Sequence, residues 1–188
     1  WSSDVCSSDL DVCFMVLGSD LWDLRKFQSK IAASGLFVAE SYVSVTEVSE
    51  YAQGMPEEML TARLYPVLPP EGLSAFCFYP MSKRREESHN WYALPYEERD
   101  QLMRQHGKSG REFKGRVLQV VTGSTGLDDW EWGVDLFAAD PLVFKKLIYE
   151  MRFDEASAKF AEFGPFYVGV QFSPDQLGVL LDGGVPTL

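Results

Sequence analysis

Positive charge is scarce in this chain. Against 28 aspartates and glutamates stand 17 lysines and arginines, giving a formal net charge of −11 and a pI near 4.6. Nucleic acid and anionic membrane surfaces both require a basic field, so neither fits as a main partner. Histidine is scarcer still, with His89 and His106 alone. That count excludes a multi-histidine metal centre but leaves room for a haem site with one histidine ligand. The three cysteines, Cys6, Cys13 and Cys77, fall at no paired spacing. They give no disulfide framework or zinc motif and fit a reducing, cytoplasmic setting. No apolar run approaches a membrane span. Residues 12–18 are apolar but lack a basic flank before them, which makes a poor signal peptide.

What is present is enough apolar material for a core: 46% hydrophobic and 14% aromatic residues over 188 positions. Residues 1–10, WSSDVCSSDL, repeat SSD without any fold periodicity and read as a non-native leader. Residues 11–18 read as a buried strand. A helix is expected over 20–33, with Leu21, Leu24, Phe27 and Ile31 inward and Gly35 as its stop. Residues 41–48 alternate as a strand, and 51–74, rich in proline and glycine, form a linker. The second half, 75–172, reads strand (75–79), helix from Pro95 to a stop at Gly107, strand (116–122), strand (130–137), helix from Asp140-Pro141, a short helix near 154–163, and strand (166–170). Residues 173–188 are a tail. The order β-α-β-β-α-β is the ferredoxin-like arrangement. Because 11–50 reads as the back part of the same unit, the expected fold is α+β with duplicated ferredoxin-like repeats, the first incomplete.

Several residues sit oddly for a plain core, and each has two readings. The run Phe76–Arg85 ends an apolar strand at Tyr79, breaks at Pro80 and opens into Lys83, Arg84 and Arg85. Tyr79 is either a half-buried tyrosine with a wet hydroxyl or a hydrogen-bonding, redox-active phenol. The three cations are either a solvated turn or part of a pocket mouth. His106, just before Gly107, is either a cation at a helix C-terminus or an imidazole offered to iron. Gln119 lies on a strand whose faces are both largely apolar. It is either a covered amide satisfied by backbone or one that meets a ligand. Arg63, Arg152 and Ser157 are either surface and capping residues or carboxylate binders, since a guanidinium fork matches a carboxylate.

The segments FYPMSKRR (78–85), NWYALPYEER (90–99), HGKSGREFKGRVLQVVTGSTGLDDWEWGVDLFAADP (106–141) and KKLIYEMRFDEASAKFAEFGPFYVG (145–169) strongly resemble the coproheme decarboxylases of the chlorite dismutase superfamily. SVTEVSEYAQG and ARLYP, in the first half, fit more weakly. The resemblance implies two ferredoxin-like repeats, a haem pocket in the second, and a homo-oligomeric ring, typically a pentamer. Members are longer at the N-terminus, so the first strands of the first repeat are expected to be missing. The implied reaction is the last step of coproporphyrin-dependent haem synthesis. Fe-coproporphyrin III, both substrate and cofactor, has two of its four propionates oxidatively decarboxylated by hydrogen peroxide, giving haem b. By the same resemblance His106 is the iron ligand, Tyr79 the phenol oxidised to a radical, and Lys83 the ammonium beside the reacting propionates. Met81 packs on the porphyrin edge, while Arg63, Arg152 and Ser157 contact propionates. Chlorite-cleaving relatives carry an arginine where this chain has the neutral Gln119, which favours decarboxylation. A chlorite-dismutase-like or peroxidase-like enzyme and a non-catalytic haem-binding protein are the alternatives.

Overall fold

A strand rich in apolar and aromatic side chains is favoured inside a sheet, and residues 75–83, AFCFYPMSK, are such a run. In the computed structural model, which describes residues 10–186, β1 (Ala75–Lys83) is the centre of a five-stranded antiparallel sheet. Its neighbours are β3 (Trp132–Ala138) on one side and β4 (Ala161–Phe163) with β5 (Tyr167–Val170) on the other. β2 (Val117–Gly123) pairs with β3 and completes the order β2-β3-β1-β4. This is the strand order of a ferredoxin-like unit, with the last strand in two pieces.

The break in that last strand has a local cause. A residue's N–H and C=O leave a strand on the same side, and the Pro80 carbonyl accepts from Gly164 N at 2.9 Å. The donor-less nitrogen of Pro80 therefore faces the edge where β4 ends and β5 has not begun. The expectation that Pro80 ends the first strand is thus corrected: the strand runs on to Lys83, because the missing donor points at a gap.

Alternation along β1 places Ala75, Cys77, Tyr79 and Met81 on one face, with Leu136 and Val134 beside them in register. That face is covered by α4 (Leu142–Met151), whose Phe144 and Leu147 are buried and whose Val143, Ile148 and Met151 pack against the same cluster. Asp140 starts the helix by accepting from Leu142 N at 2.8 Å. α3 (Tyr96–Arg111) and α5 (Glu155–Phe160) meet around a second cluster of Trp91, Leu102, Ala156 and Phe160.

α3 does not stop at Gly107 but continues through Gly110 to Arg111, and the next glycine beyond its end, Gly115, takes a positive φ of 79°. Each interior glycine costs about 1 kcal/mol, which packing of the helix outweighs. Residues 50–74 hold a 3-10 turn (Glu50–Ala52) and α2 (Glu57–Leu64), and Tyr51 stacks on Tyr96 with ring centroids 6.0 Å apart.

The chain divides into two units, the first ending at Val43 and the second starting at Ser44. In the first, α1 (Leu21–Ala33) is capped by Asp20, which accepts from Asp23 N, and is followed by Gly35 at φ 92°. Leu21, expected inward, is 67% exposed. Residues 11–18 form no strand, and 41–48 contribute only an isolated bridge between Val45 and Gly123. A strand exists by laddering with a neighbour, and an apolar pattern without a paired partner does not make one. Residues 1–9, most of the stretch read as a leader, lie outside the described residues.

Candidate functional site

The two-piece last strand sets the surroundings of Tyr79. Phe163 ends β4 and Phe166 precedes β5, and the break folds both rings onto the phenol, at 5.8 Å and 4.7 Å between centroids. Tyr79 is 6% exposed, so it is buried rather than half-buried. Burial raises its pKa well above the ordinary phenol value, with the nearby Cys77 adding to the rise. The ring is therefore a neutral, apolar-packed phenol.

Lys83, on the same face of β1 and two positions past Met81, is also buried, at 8% exposure. Its Nζ donates to the Ala156 carbonyl at 3.2 Å and stands 4.3 Å from the Trp91 ring centroid. Burial lowers its pKa to about 8, against the pull of Asp154 and Glu131. An amine poised there can hold or release a proton near neutral pH. Its backbone N–H donates to Glu131 Oε2 at 2.8 Å. The three neighbouring cations thus diverge: Lys83 inward, Arg85 exposed and 4.0 Å from Glu131 Oε1, and Arg84 toward a groove.

His106 lies five positions before the end of α3, so it does not occupy the last turn, and the reading as a C-terminal cation is corrected. Its Nδ1 is 2.7 Å from Asp154 Oδ2 and 3.4 Å from Ser157 Oγ. Asp154 is itself buried and caps α5 by accepting from Ala156 N at 3.1 Å. Burial pushes the Asp154 carboxyl up, but the hydrogen bonds from His106 and Ser157, the imidazole charge and the Ala156 N–H together hold it below its usual value. An ionised carboxylate only accepts, so Nδ1 donates to it and Nε2 is the ring nitrogen left to meet another partner. That is the donor set an iron porphyrin takes from a histidine protein, and the residues fit one.

α5 gathers these parts. Its cap binds His106, its Ala156 carbonyl binds Lys83, and Ser157 lines a groove of about 520 Å³ together with Arg84, Arg152, Phe163 and Phe166. Arg152, just past α4, stands with Cζ 5.1 Å from the Phe163 ring centroid. Tyr79 and His106 do not line the groove themselves; they reach it through Phe163 and Phe166 on one side and Ser157 on the other.

Gln119 differs from expectation. Register puts it beside Leu136 and Cys77, on the Tyr79 face, but it is exposed, as is Val121 at 45%. β2 is an edge strand, so this amide meets water without needing a partner. Met81 packs half-buried against the Tyr79 cluster. Arg63 is exposed in the last turn of α2, and among the described residues no hydrogen bond or ion pair brings it to the groove. Sequence reasoning missed Asp154, whose only local sign was its place as a cap before Glu155-Ala156-Ser157, and Glu131, which carried none.

The sheet order and the helices on one face define an α+β protein built on the ferredoxin-like plan. The chlorite dismutase family model matches residues 3–172, and the chain belongs to that family. It is 44% identical over 184 residues to the coproheme decarboxylase of Staphylococcus saprophyticus, covering 93% of this chain and 73% of that protein. A protein of Natronomonas pharaonis is 49% identical over 169 residues, 83% of this chain but 28% of its own length. The solved structure of a heme-binding protein from Thermus thermophilus superposes with a TM-score of 0.79 at 44% identity, over 87% of this chain and 68% of that one. None of the described helices is long and apolar enough to cross a membrane.

Proposed function

We propose that this protein carries out the peroxide-dependent decarboxylation of Fe-coproporphyrin III to haem b. The observation that carries the reading is the convergence on α5: an imidazole with one nitrogen pinned, a buried amine and a cationic groove all meet one short helix. The relatives named coproheme decarboxylase support the same assignment. Within it, hydrogen peroxide is the oxidant, the location is cytoplasmic and the assembly is a homo-pentamer, as the family resemblance implies.

Each propionate reacts as –CH2–CH2–COO⁻ → –CH=CH2 + CO2 + H⁺ + 2e⁻, and one hydrogen peroxide takes up the two electrons. The bound iron porphyrin supplies the oxidising power. The chain's own residues do the rest. His106 would hold the porphyrin iron through Nε2, with Asp154 fixing its ring. Tyr79 would give up an electron and a proton together and recover both as a hydrogen atom from the propionate side chain; the second electron would pass to the same oxidant as the C–C bond breaks and CO2 leaves. Its aromatic packing keeps the phenol neutral until it is oxidised. Lys83, with its pKa lowered to about 8, sits beside the reacting carboxylate and moves the proton. Arg152 and Ser157 hold carboxylates at the groove, Met81 packs on the macrocycle edge and Gln119 adds no charge on the open end of the sheet face. Arg63 belongs to the same set by resemblance alone.

The test is to load the protein with Fe-coproporphyrin III, titrate with hydrogen peroxide and follow the porphyrin by mass. Stepwise loss of two carboxyl groups is expected. Inert binding would leave a haem carrier, and in a parallel assay with added chlorite its consumption with oxygen release would point to the chlorite-splitting reaction.

A further inference from the structure

The groove beside α5 contains a cation to which the proposed reaction gives no task. Arg84 is half-buried, and its backbone is fixed on both sides: its N–H donates to the Phe160 carbonyl at 2.8 Å and its carbonyl accepts from Trp91 N at 3.0 Å. The side chain is thereby directed into the groove wall that Arg152 and Ser157 also form. Among the described residues neither guanidinium makes an ion pair. The single acid of the lining, Glu162, is exposed and bonds to neither. Two like charges facing one cavity of about 520 Å³ repel each other until an anion joins them. In a chain of net charge −11 such a pair is conspicuous.

We infer that Arg84 is a second carboxylate clamp: with Arg152 it binds one carboxylate of the porphyrin substrate at the groove. A carboxylate between two guanidiniums accepts charge-assisted hydrogen bonds from both. This rests on the porphyrin reading of the site, so the experiment uses a ligand that isolates carboxylate recognition from iron coordination.

Metal-free coproporphyrin III, followed by its fluorescence, is titrated into the wild-type protein and into Arg84→Gln, Arg84→Lys, Arg152→Gln, Arg84→Gln/Arg152→Gln and Arg85→Gln. Expected are a roughly 10-fold weaker affinity for Arg84→Gln and partial recovery in Arg84→Lys, because an ammonium cannot make the forked contact. Arg85→Gln, whose side chain turns to Glu131 instead, should change affinity less than about 2-fold. In Arg84→Gln/Arg152→Gln the loss should fall short of the two single losses combined, as shared contact to one anion requires. Thermal midpoints measured alongside separate a folding defect from a binding one, and Arg84→Lys keeps the test open if the glutamine variant unfolds. Wild-type affinity in Arg84→Gln would overturn the clamp. Failure of the wild-type protein to bind the porphyrin with or without iron would overturn the functional reading itself.

Discussion

Tyr79 and Asp135 are both buried, on adjacent strands of one sheet, and burial acts on them with different consequences. Tyr79→Phe keeps the ring that Phe163 and Phe166 pack against and removes only the hydroxyl. It is expected to bind Fe-coproporphyrin III with near wild-type affinity and to yield no vinyl product by mass; normal turnover would remove the phenol from the mechanism. His106→Ala is expected to abolish the axially ligated iron spectrum while leaving the fold intact, because His106 is a partly exposed residue on α3. Asp135, on the opposite face of β3, is 7% exposed, and burial raises its carboxyl pKa to about 7. The native state therefore keeps a proton that the unfolded chain releases from about pH 4 upward. Stability from this group is complete below its unfolded pKa and declines as pH rises toward its folded value of about 7. Asp135→Asn should accordingly gain on the wild type between about pH 5 and pH 8, by roughly 1–3 kcal/mol at the upper end. Denaturant melts at the two pH values measure the gap; a gap that stays constant would mean the carboxyl is solvated.

Among the elements, the broken last strand carries the sharpest structural expectation. A Cβ on Gly164 would come within 2.7 Å of Pro80 Cγ and 2.9 Å of Trp130 Cζ2, both parts of rigid rings. Gly123 would instead meet the far end of the Glu47 side chain, which can swing away. Gly164→Ala is thus expected to cost about 1–3 kcal/mol, and Gly123→Ala under about 1 kcal/mol, in chemical denaturation. Equal losses would show that the break is as compliant as a surface turn. This break was not legible in the sequence, where Gly164-Pro165 looked like a link between a helix and a strand, because a gap depends on which edge Pro80 faces. Capped helices were legible, since Asp20 with Gly35 and Asp140 with its apolar stripe carry their signals locally. α3 was misjudged at Gly107 because helix packing overrode a weak local stop. The strand read over 11–18 failed for the converse reason: its pattern was local but its ladder had to come from elsewhere. Of the candidate site, the resemblance to a family named Tyr79, Lys83 and His106 as candidates, whereas Asp154, which bonds to His106, lies 48 positions from its partner.

At the scale of the molecule, an acidic protein must admit a ligand that is itself polyanionic. With a net charge of −11, long-range repulsion slows encounter, while the groove's guanidiniums act only at contact. Raising ionic strength from about 0.02 M to 0.2 M shortens the screening length to under ~10 Å. The association rate of coproporphyrin III in stopped flow should therefore increase, while equilibrium affinity decreases as the close ion pairs weaken. A rate that falls with salt would mean that a local basic field, not the whole-protein charge, governs approach. The arrangement around α5 has a mechanical corollary. Asp154 and the six residues of α5 are a common mounting for the His106 ring, the Lys83 amine and the groove wall, so a displacement of this one segment is felt at all three. The same economy makes the mounting fragile: a single residue inserted between Arg152 and Asp154 would put every one of them out of alignment together.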